Sequence, residues 1–509
     1  MHFYTSININ YLPKARILAK SVKKYCENVR FSLVLIDKIP KEIDIEQEPF
    51  DEIITVEQLD ISVPNFKLWL YQHTVVELCT AVKGPALVKF LSEGSDKVVY
   101  LDPDIVVFDN MDDLEKLLDK YDIILTPHQT VAEKEKQNII NNEICSLQHG
   151  IYNFGFYAVR NNENGMNYAK WWRDRLTDFC YDDIKNGIFT DQRWGDLVPA
   201  IFERVYIWKD PGCNVATWNL TNRNITKKNG IYYVNDSKLK FYHFSGFDSG
   251  AQKVMLDLYG KNNPYLYELR DWYIQRQYEE EQKKYGMGYG KSEYNYYSNG
   301  EMVKKEERIM LRERMDLLEY FKDIDPYIVE QDKSYYNWYQ NEMKLLTNNC
   351  SKNILETKES KSVNCKLYFD YGNGFSENNA KIVEAKKQNK GEYKIHFDLE
   401  FERCPVRMRL DPIEGILCLA IKSEIYVEEK ILPSEWSRCV ENIKGGVILA
   451  APDPYVIWSL PFSETKIKIT GTFIFSIDSE YIQDCMFESL KKLQIKQSIE
   501  KYNRKSNRL

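Results

Sequence analysis

Long apolar runs are missing from this 509-residue chain, and none reaches the roughly 20 residues that a membrane-spanning helix needs. A transmembrane protein is therefore not expected. Cysteine pairs are missing too: the 11 cysteines are scattered from Cys26 to Cys485 with no C-x-x-C among them, which argues against a zinc site or a disulfide framework. Met1 to Ser6 starts directly as a strand, without the basic and apolar regions of a secretory leader, so a reducing cytoplasm is the expected compartment. Positive charge is also in deficit, with 69 Lys and Arg against 76 Asp and Glu, a formal net charge of -7. That balance excludes a nucleic-acid binder held by a general basic field, and small-molecule or glycan chemistry fits better.

What is present supports folding on a larger scale. Hydrophobic residues make up 43% of the chain and aromatics 14%, including 36 Tyr and 10 Trp, enough for cores and for polar-ligand surfaces. The length predicts two or three domains. Residues 2–9 read as a strand; Ala15, Leu18, Val22 and Tyr25 then recur at helical spacing before a second apolar strand, Phe31 to Ile36. Two helical stretches between Phe66 and Leu91 lead to a third strand at Lys97 to Leu101, followed by strands at Asp122 to Thr126, Tyr152 to Val159 and Leu239 to Phe244. This alternation predicts an α/β domain over residues 1–260, a mostly parallel sheet with helices on both faces and ligands at the carboxyl ends of its strands. Residues 261–346 turn charged and Tyr-rich, as expected of a helical extension packed on that domain. A polar linker is expected over 347–362 and a β-sandwich over 363–480. The last stretch, 481–509, reads as a basic helical tail, solvated or weakly drawn to an anionic membrane surface.

Four short stretches carry candidate chemistry. In V-V-Y-L-D-P-D-I-V-V-F, Val98 to Phe108, Asp102 and Asp104 stand where one apolar strand breaks and another begins. Asp-Pro-Asp makes an ordinary turn, but two carboxylates at a buried strand end need a compensating cation. His243, in F-Y-H-F-S-G-F, reads alone as a core histidine; with the two carboxylates it makes a set suited to Mn²⁺, Mg²⁺ being less favoured by a nitrogen ligand. Gly246 just beyond it allows backbone to approach phosphate oxygens. Asn153 in G-I-Y-N-F-G-F offers donors and acceptors among aromatics, and Asp191 and Gln192 in T-D-Q-R-W stand at an expected helix start. Capping by Thr190 or Asp191 explains the aspartate but not Gln192.

In order and spacing, Y-L-D-P-D, Y-N-F-G-F, D-Q-R-W and Y-H-F-S-G-F resemble the metal-dependent nucleotide-sugar glycosyltransferases of the GT-A fold, closest to the family containing glycogenin and bacterial lipopolysaccharide galactosyl- and glucosyltransferases. The resemblance covers about residues 1–260. It implies that Asp104 and His243 hold the metal, with Asp102 shared between metal and donor ribose. It further implies that Thr5, Ser6 and Asn8 grip the uridine, that Lys83 or Lys89 supplies a basic donor contact, and that Asn153, Asp191 and Gln192 line the sugar and its anomeric carbon. The implied activity is transfer from a nucleotide sugar, UDP-linked, to a glycan, lipid-linked or protein-linked acceptor, with retention of configuration; under inversion Asp191 would be the general base. One departure stands out: Ser245-Gly246-Phe247 replaces the glycine and lysine pattern that usually follows the histidine.

Two other readings compete. One is a transferase-like scaffold or glycan-binding protein without activity. The other is sugar-1-phosphate nucleotidyltransfer, disfavoured because Phe3 to Asn10 lacks a glycine-rich phosphate loop. In the C-terminal half, Asp370, Gly372, Asn373 and Gly374 make a turn, and Tyr371, Phe375, Trp436 and Trp458 are the side chains that would stack on sugar rings if the module captures glycans.

Overall fold

The computed structural model describes residues 1–286, 292–331, 333–341, 362–372, 374–388, 392–412, 418–427, 430–436, 439–441, 447–449, 455–460 and 467–476. Apart from Ser362, the expected linker lies outside these residues, as do the expected tail, Asn373 and the side chain of Trp436. The chain divides into two compact units, Met1–Asn337 and Trp338–Leu509. No helix among the described residues is long and apolar enough to cross a membrane.

The first unit is built on a seven-stranded sheet. Its strands are β1 (His2–Ile7), β2 (Arg30–Leu35), β3 (Glu52–Thr55), β4 (Lys97–Leu101), β6 (Ile123–Pro127), β7 (Tyr152–Arg160) and β8 (Val205–Ile207), with the short β5 (Ile105–Val107) outside it. The order across the sheet is β8-β6-β7-β4-β1-β2-β3, and every neighbouring pair is parallel except those made by β7. Helices cover both faces, as the twofold alternation of strand side chains requires. Phe3, Phe31, Leu33, Val99 and Phe156 point to one face and share a core with α1 (Leu12–Tyr25), whose Ala15, Leu18 and Val22 are fully buried. Tyr4, Tyr100 and Tyr157 point to the other, against Phe90 of α4 (Lys83–Ser92) and, after α5 (Asp112–Lys120) in chain order, Trp172 of α6 (Glu163–Phe179).

Three helices, not two, fill the stretch before β4: α2 (Phe66–Gln72), α3 (Val75–Ala81) and α4. His73 and Thr74 separate the first two; the Thr74 hydroxyl and the Glu77 carboxylate cap α3 reciprocally. The stretch between the strands expected at Asp122 to Thr126 and Tyr152 to Val159, where no helix was expected, is helical over Lys136–His149. The helix expected to start at Asp191 is two short turns, Arg193–Leu197 and Val198–Ile201.

Past residue 260 the charge-rich segment folds back onto this unit through α8 (Pro264–Glu279) and α9 (Lys305–Glu313), after α7 (Ala251–Tyr259). Arg308 of α9, fully buried, donates to the carbonyls of Tyr71 (2.8 Å) and His73 (2.6 Å) at the carboxyl end of α2. Those carbonyls have no partner within their own helix, so a cation there satisfies them and the helix dipole together.

The described residues of the second unit from Ser362 onward are mainly β. β10 (Ser362–Asp370), β11 (Ala380–Lys387), β12 (Glu392–Phe401), β13 (Arg407–Asp411), β14 (Cys418–Val427), β15 (Val456–Ser459) and β16 (Ile467–Ser476) join in one antiparallel sheet, in the order β15-β13-β10-β11-β12-β16-β14. The sheet curls over its own core: Trp458 of β15 lies 6.5 Å, ring to ring, from Phe473 of β16, five positions away in strand order. Trp458 is fully buried with its indole nitrogen donating to Ser434, which removes it from the side chains that would stack on sugar rings if the module captured glycans. Asp370 makes the expected turn, accepting from Gly372 and Gly374 while Arg407 grips its other oxygen.

Candidate active site

Two local pairings assemble the site. β7 runs antiparallel to β4 with Leu101 opposite Phe156, so the Asp102 N–H donates to the Gly155 carbonyl at 2.8 Å. β9 (Phe241–His243) runs antiparallel to β5 with His243 opposite Ile105, and the Phe244 N–H donates to the Asp104 carbonyl. The histidine is thereby set beside the D-x-D by main-chain hydrogen bonds alone.

His243 Nε2 lies 3.0 Å from Asp104 Oδ1 and 3.8 Å from Asp102 Oδ2, and the three ligand atoms lie within 4.8 Å of one another. Donors at about 2.1 Å from a shared cation stand roughly 3 Å apart when adjacent, so this trio fits a divalent ion. Burial would raise the Asp104 carboxyl, but His243 and Lys14 outweigh it and hold the carboxyl below its ordinary value. Burial likewise opposes charge on His243, and Asp104 overrides it, so the imidazole is raised.

Each ligand is oriented by a neighbour. His243 Nδ1 faces the Asn153 amide oxygen at 3.2 Å, which fixes Nε2 toward the carboxylates. Asn153 in turn donates to His128 Nε2 at 3.1 Å. Burial lowers His128 to about 4, so its ring is neutral at ordinary pH and free to accept that bond. Asp102 Oδ1 accepts from the Tyr100 hydroxyl (2.8 Å) and the Lys83 ammonium (3.2 Å), leaving Oδ2 toward His243. Gly155 makes room for all of this, since a Cβ there would stand 2.6 Å from His243 Cε1, 2.7 Å from Asn153 Oδ1 and 2.8 Å from Asp102 Oδ2.

Lys83 is the second centre. It is 3% exposed and bridges Asp102 to Asp191 (2.8 Å), donates to the Phe154 carbonyl and sits 4.3 Å from the centre of the Tyr100 ring. Burial raises Asp191, with Lys83 partly offsetting it. Asp191 is therefore no helix cap; it follows Thr190, a non-glycine residue at φ 44°, and its carboxylate is spent on Lys83 and the Thr190 hydroxyl. Gln192 accepts from the Phe154 N–H and donates to the His149 carbonyl.

The remaining expected residues separate. Ser6 bonds the Cys79 carbonyl and the Tyr100 hydroxyl, so it supports the site through Tyr100. Thr5 is buried with no partner for its hydroxyl, and Asn8 is buried at the end of β1. Gly246 adopts φ 73°, and its carbonyl accepts from the Gln252 N–H at 3.0 Å. Lys89 does not join the cluster: it pairs with Glu93 one turn along α4 at the surface, whereas Lys83, six residues earlier, lies inside. Sequence reasoning missed Tyr100, His128 and Lys14, because a buried tyrosine and a lysine in an amphipathic helix carry no motif. A cavity of about 650 Å³ lies elsewhere, behind β5, among Phe108, Tyr232 and Trp272, and includes none of these groups.

Comparison with known proteins bears on this arrangement. Residues 2–186 match glycosyl transferase family 8. The family 8 match includes Lys83, Asp102, Asp104 and Asn153 and ends before Asp191 and His243. It supports glycosyltransferase activity in general, and the mostly parallel sheet is compatible with the GT-A fold. Among curated proteins the chain is similar to the uncharacterized protein YfnD of Bacillus subtilis (strain 168), 23% identical over 256 residues that cover 50% of this chain and 79% of the relative. It is also similar to the uncharacterized protein YfnF of the same organism, 29% identical over 181 residues, covering 34% of this chain and 57% of the relative.

Proposed function

We propose that the first unit transfers a sugar from a nucleotide-sugar donor, UDP-linked, to a glycan, glycolipid or glycoprotein acceptor, with a divalent cation at Asp102, Asp104 and His243 and with retention of configuration. The observation that carries the reading is the convergence of those three ligand atoms within 4.8 Å, two of them, Asp102 and Asp104, in the stretch that matches family 8. Two carboxylates and an imidazole favour Mn²⁺ over Mg²⁺, which prefers oxygen ligands. When bound, the cation supplies Lewis-acid stabilisation of the diphosphate leaving group.

The chain's own residues do the rest by orientation and charge. Lys83 and Tyr100 engage one oxygen of Asp102 so that the other faces His243; Asn153 holds the imidazole with Nε2 outward. Lys83 keeps the buried Asp191 carboxylate beside Asp102, where negative charge stabilises positive charge developing at an anomeric carbon. Gln192, anchored on β7 through the Phe154 N–H, is the neighbouring amide.

A thermal-shift screen of nucleotide sugars with and without Mn²⁺ tests the reading. A ligand that binds only the folded chain raises its melting temperature, by the equivalent of about 2.7 kcal/mol at a hundredfold excess over Kd. The expected result is a shift with a UDP-sugar that requires Mn²⁺; no shift with any nucleotide sugar would count against it.

A further inference from the structure

Away from the metal centre, one buried cation lacks a counter-charge. Arg223 closes the turn Thr217–Asn222 and is only 6% exposed. Its Nη1 donates to the carbonyls of Cys213 (2.9 Å) and Asn214 (3.0 Å), but its Nε is buried without a partner. Among the described residues no carboxylate stands within ion-pair distance of it, and Asp210 acts on it without touching it. Burial lowers the guanidinium to about 10, still above neutral pH, so the group stays charged. A charge held out of water in this way is costly until an anion meets it.

Arg223 lines a cavity of about 620 Å³ between residues 220–226 and 258–266, and the lining contains no aspartate or glutamate. Its other cation is the exposed Lys261, and the amino end of α8 borders it through Asn263 and Pro264. A helix amino end adds positive potential of its own. Amides and phenols complete the polar lining, Asn222, Asn224, Asn235, Tyr259 and Tyr265, groups that can hydrogen-bond sugar hydroxyls. With Nη1 committed to the main chain, the edge left on Arg223 is Nε with Nη2, the fork that takes a carboxylate or phosphate through two parallel hydrogen bonds. The turn that Arg223 closes also carries Trp218, whose ring lies 5.3 Å from that of His243, yet no residue of the metal centre lines the cavity.

We infer that this cavity binds the acidic group, phosphate or carboxylate, of a saccharide, held on the Nε and Nη2 edge of Arg223 with Lys261 and the amino end of α8. Anion binding there is independent of the proposed function. Its use in holding an acidic acceptor rests on that reading.

Calorimetric titration of the full chain with glucose 6-phosphate, glucuronate and glucose, without Mn²⁺, tests it. Glucose 6-phosphate is expected to bind if the anion is a phosphate and glucuronate if it is a carboxylate, with glucose binding in neither case. Lys261→Glu, at an exposed position, is expected to weaken the acidic sugar about tenfold, and Arg223→Gln to abolish its binding. Asp104→Ala is expected to leave it unchanged. If Arg223→Gln fails to fold, Lys261→Glu still decides. The inference is overturned if the wild type binds neither acidic sugar, if glucose binds as tightly, or if Lys261→Glu or a folded Arg223→Gln binds like wild type. Loss of binding in Asp104→Ala would place the anion at the metal centre, overturning the inference and leaving the nucleotide-sugar reading intact. Acidic-sugar binding by a chain that binds no nucleotide sugar would overturn that reading and keep the anion site.

Discussion

Gly155 is the residue on which the candidate centre most depends without belonging to it. It contributes a carbonyl to Asp102 and an absence of side chain to three groups at once, His243, Asn153 and Asp102. Gly155→Ala forces at least one of them aside, because none is the free end of a long side chain. The expected outcome is at least a tenfold loss of Mn²⁺ affinity by calorimetric titration, together with about 1–3 kcal/mol of lost stability from overpacking. Unchanged Mn²⁺ affinity would mean that the trio does not hold the ion. Gly155 illustrates what the sequence discloses at this scale. The D-x-D and the histidine were legible because their residue types are chemically unusual at strand ends. Lys83 and Lys89 were not distinguishable, since both lie on one amphipathic helix and only the packing of α4 turns one inward. The roles of Tyr100 and His128 were illegible because neither belongs to a motif: packing alone turns the Tyr100 hydroxyl onto Asp102 and brings His128 to Asn153.

At the scale of elements, alternating apolar segments made the parallel sheet readable, whereas the antiparallel sense of β7 carries no local signature. That reversal matters, because it aligns Gly155 with Asp102. The helical extension was legible only as charge-rich helix. Within the first unit, two arginines of α9 tie it to earlier helices, Arg308 at the carbonyl end of α2 and Arg312 against Glu77 of α3. Burial would raise the Glu77 carboxyl, but the N–H groups of Thr74 and Asp182, Arg312 and His73 outweigh it and hold it below its ordinary 4.5. A carboxyl depressed in the folded state stabilises fully above its unfolded value and loses that contribution as pH falls through the folded one. Glu77→Gln should therefore cost about 3 kcal/mol at pH 7, where it breaks a buried pair, and progressively less below about pH 4.5. Urea unfolding of both proteins at pH 7 and pH 4 measures this, and a gap that does not narrow would contradict it.

The whole molecule comprises two units whose architectures follow from two hydrophobic periods. Helical and strand periods alternate to Asn337, and period-two strands such as Glu392–Phe401 dominate beyond it, so the change of fold class was visible along the chain. What could not be read was the closure of the second unit, because the approach of Trp458 to Phe473 across the sheet depends on curl, which no local pattern records. All the candidate chemistry lies in the first unit, and it converges on one carboxylate, Asp104, which meets His243 Nε2 at 3.0 Å. The most direct measurement is release of UDP from a UDP-sugar identified by the thermal-shift screen, assayed with Mn²⁺ and with chelator, for wild type and for Asp104→Ala. Metal-dependent turnover in the wild type that falls at least a hundredfold in a folded Asp104→Ala protein is the predicted result. Equal turnover by the two proteins, or turnover indifferent to chelator, would contradict a metal-dependent glycosyltransferase.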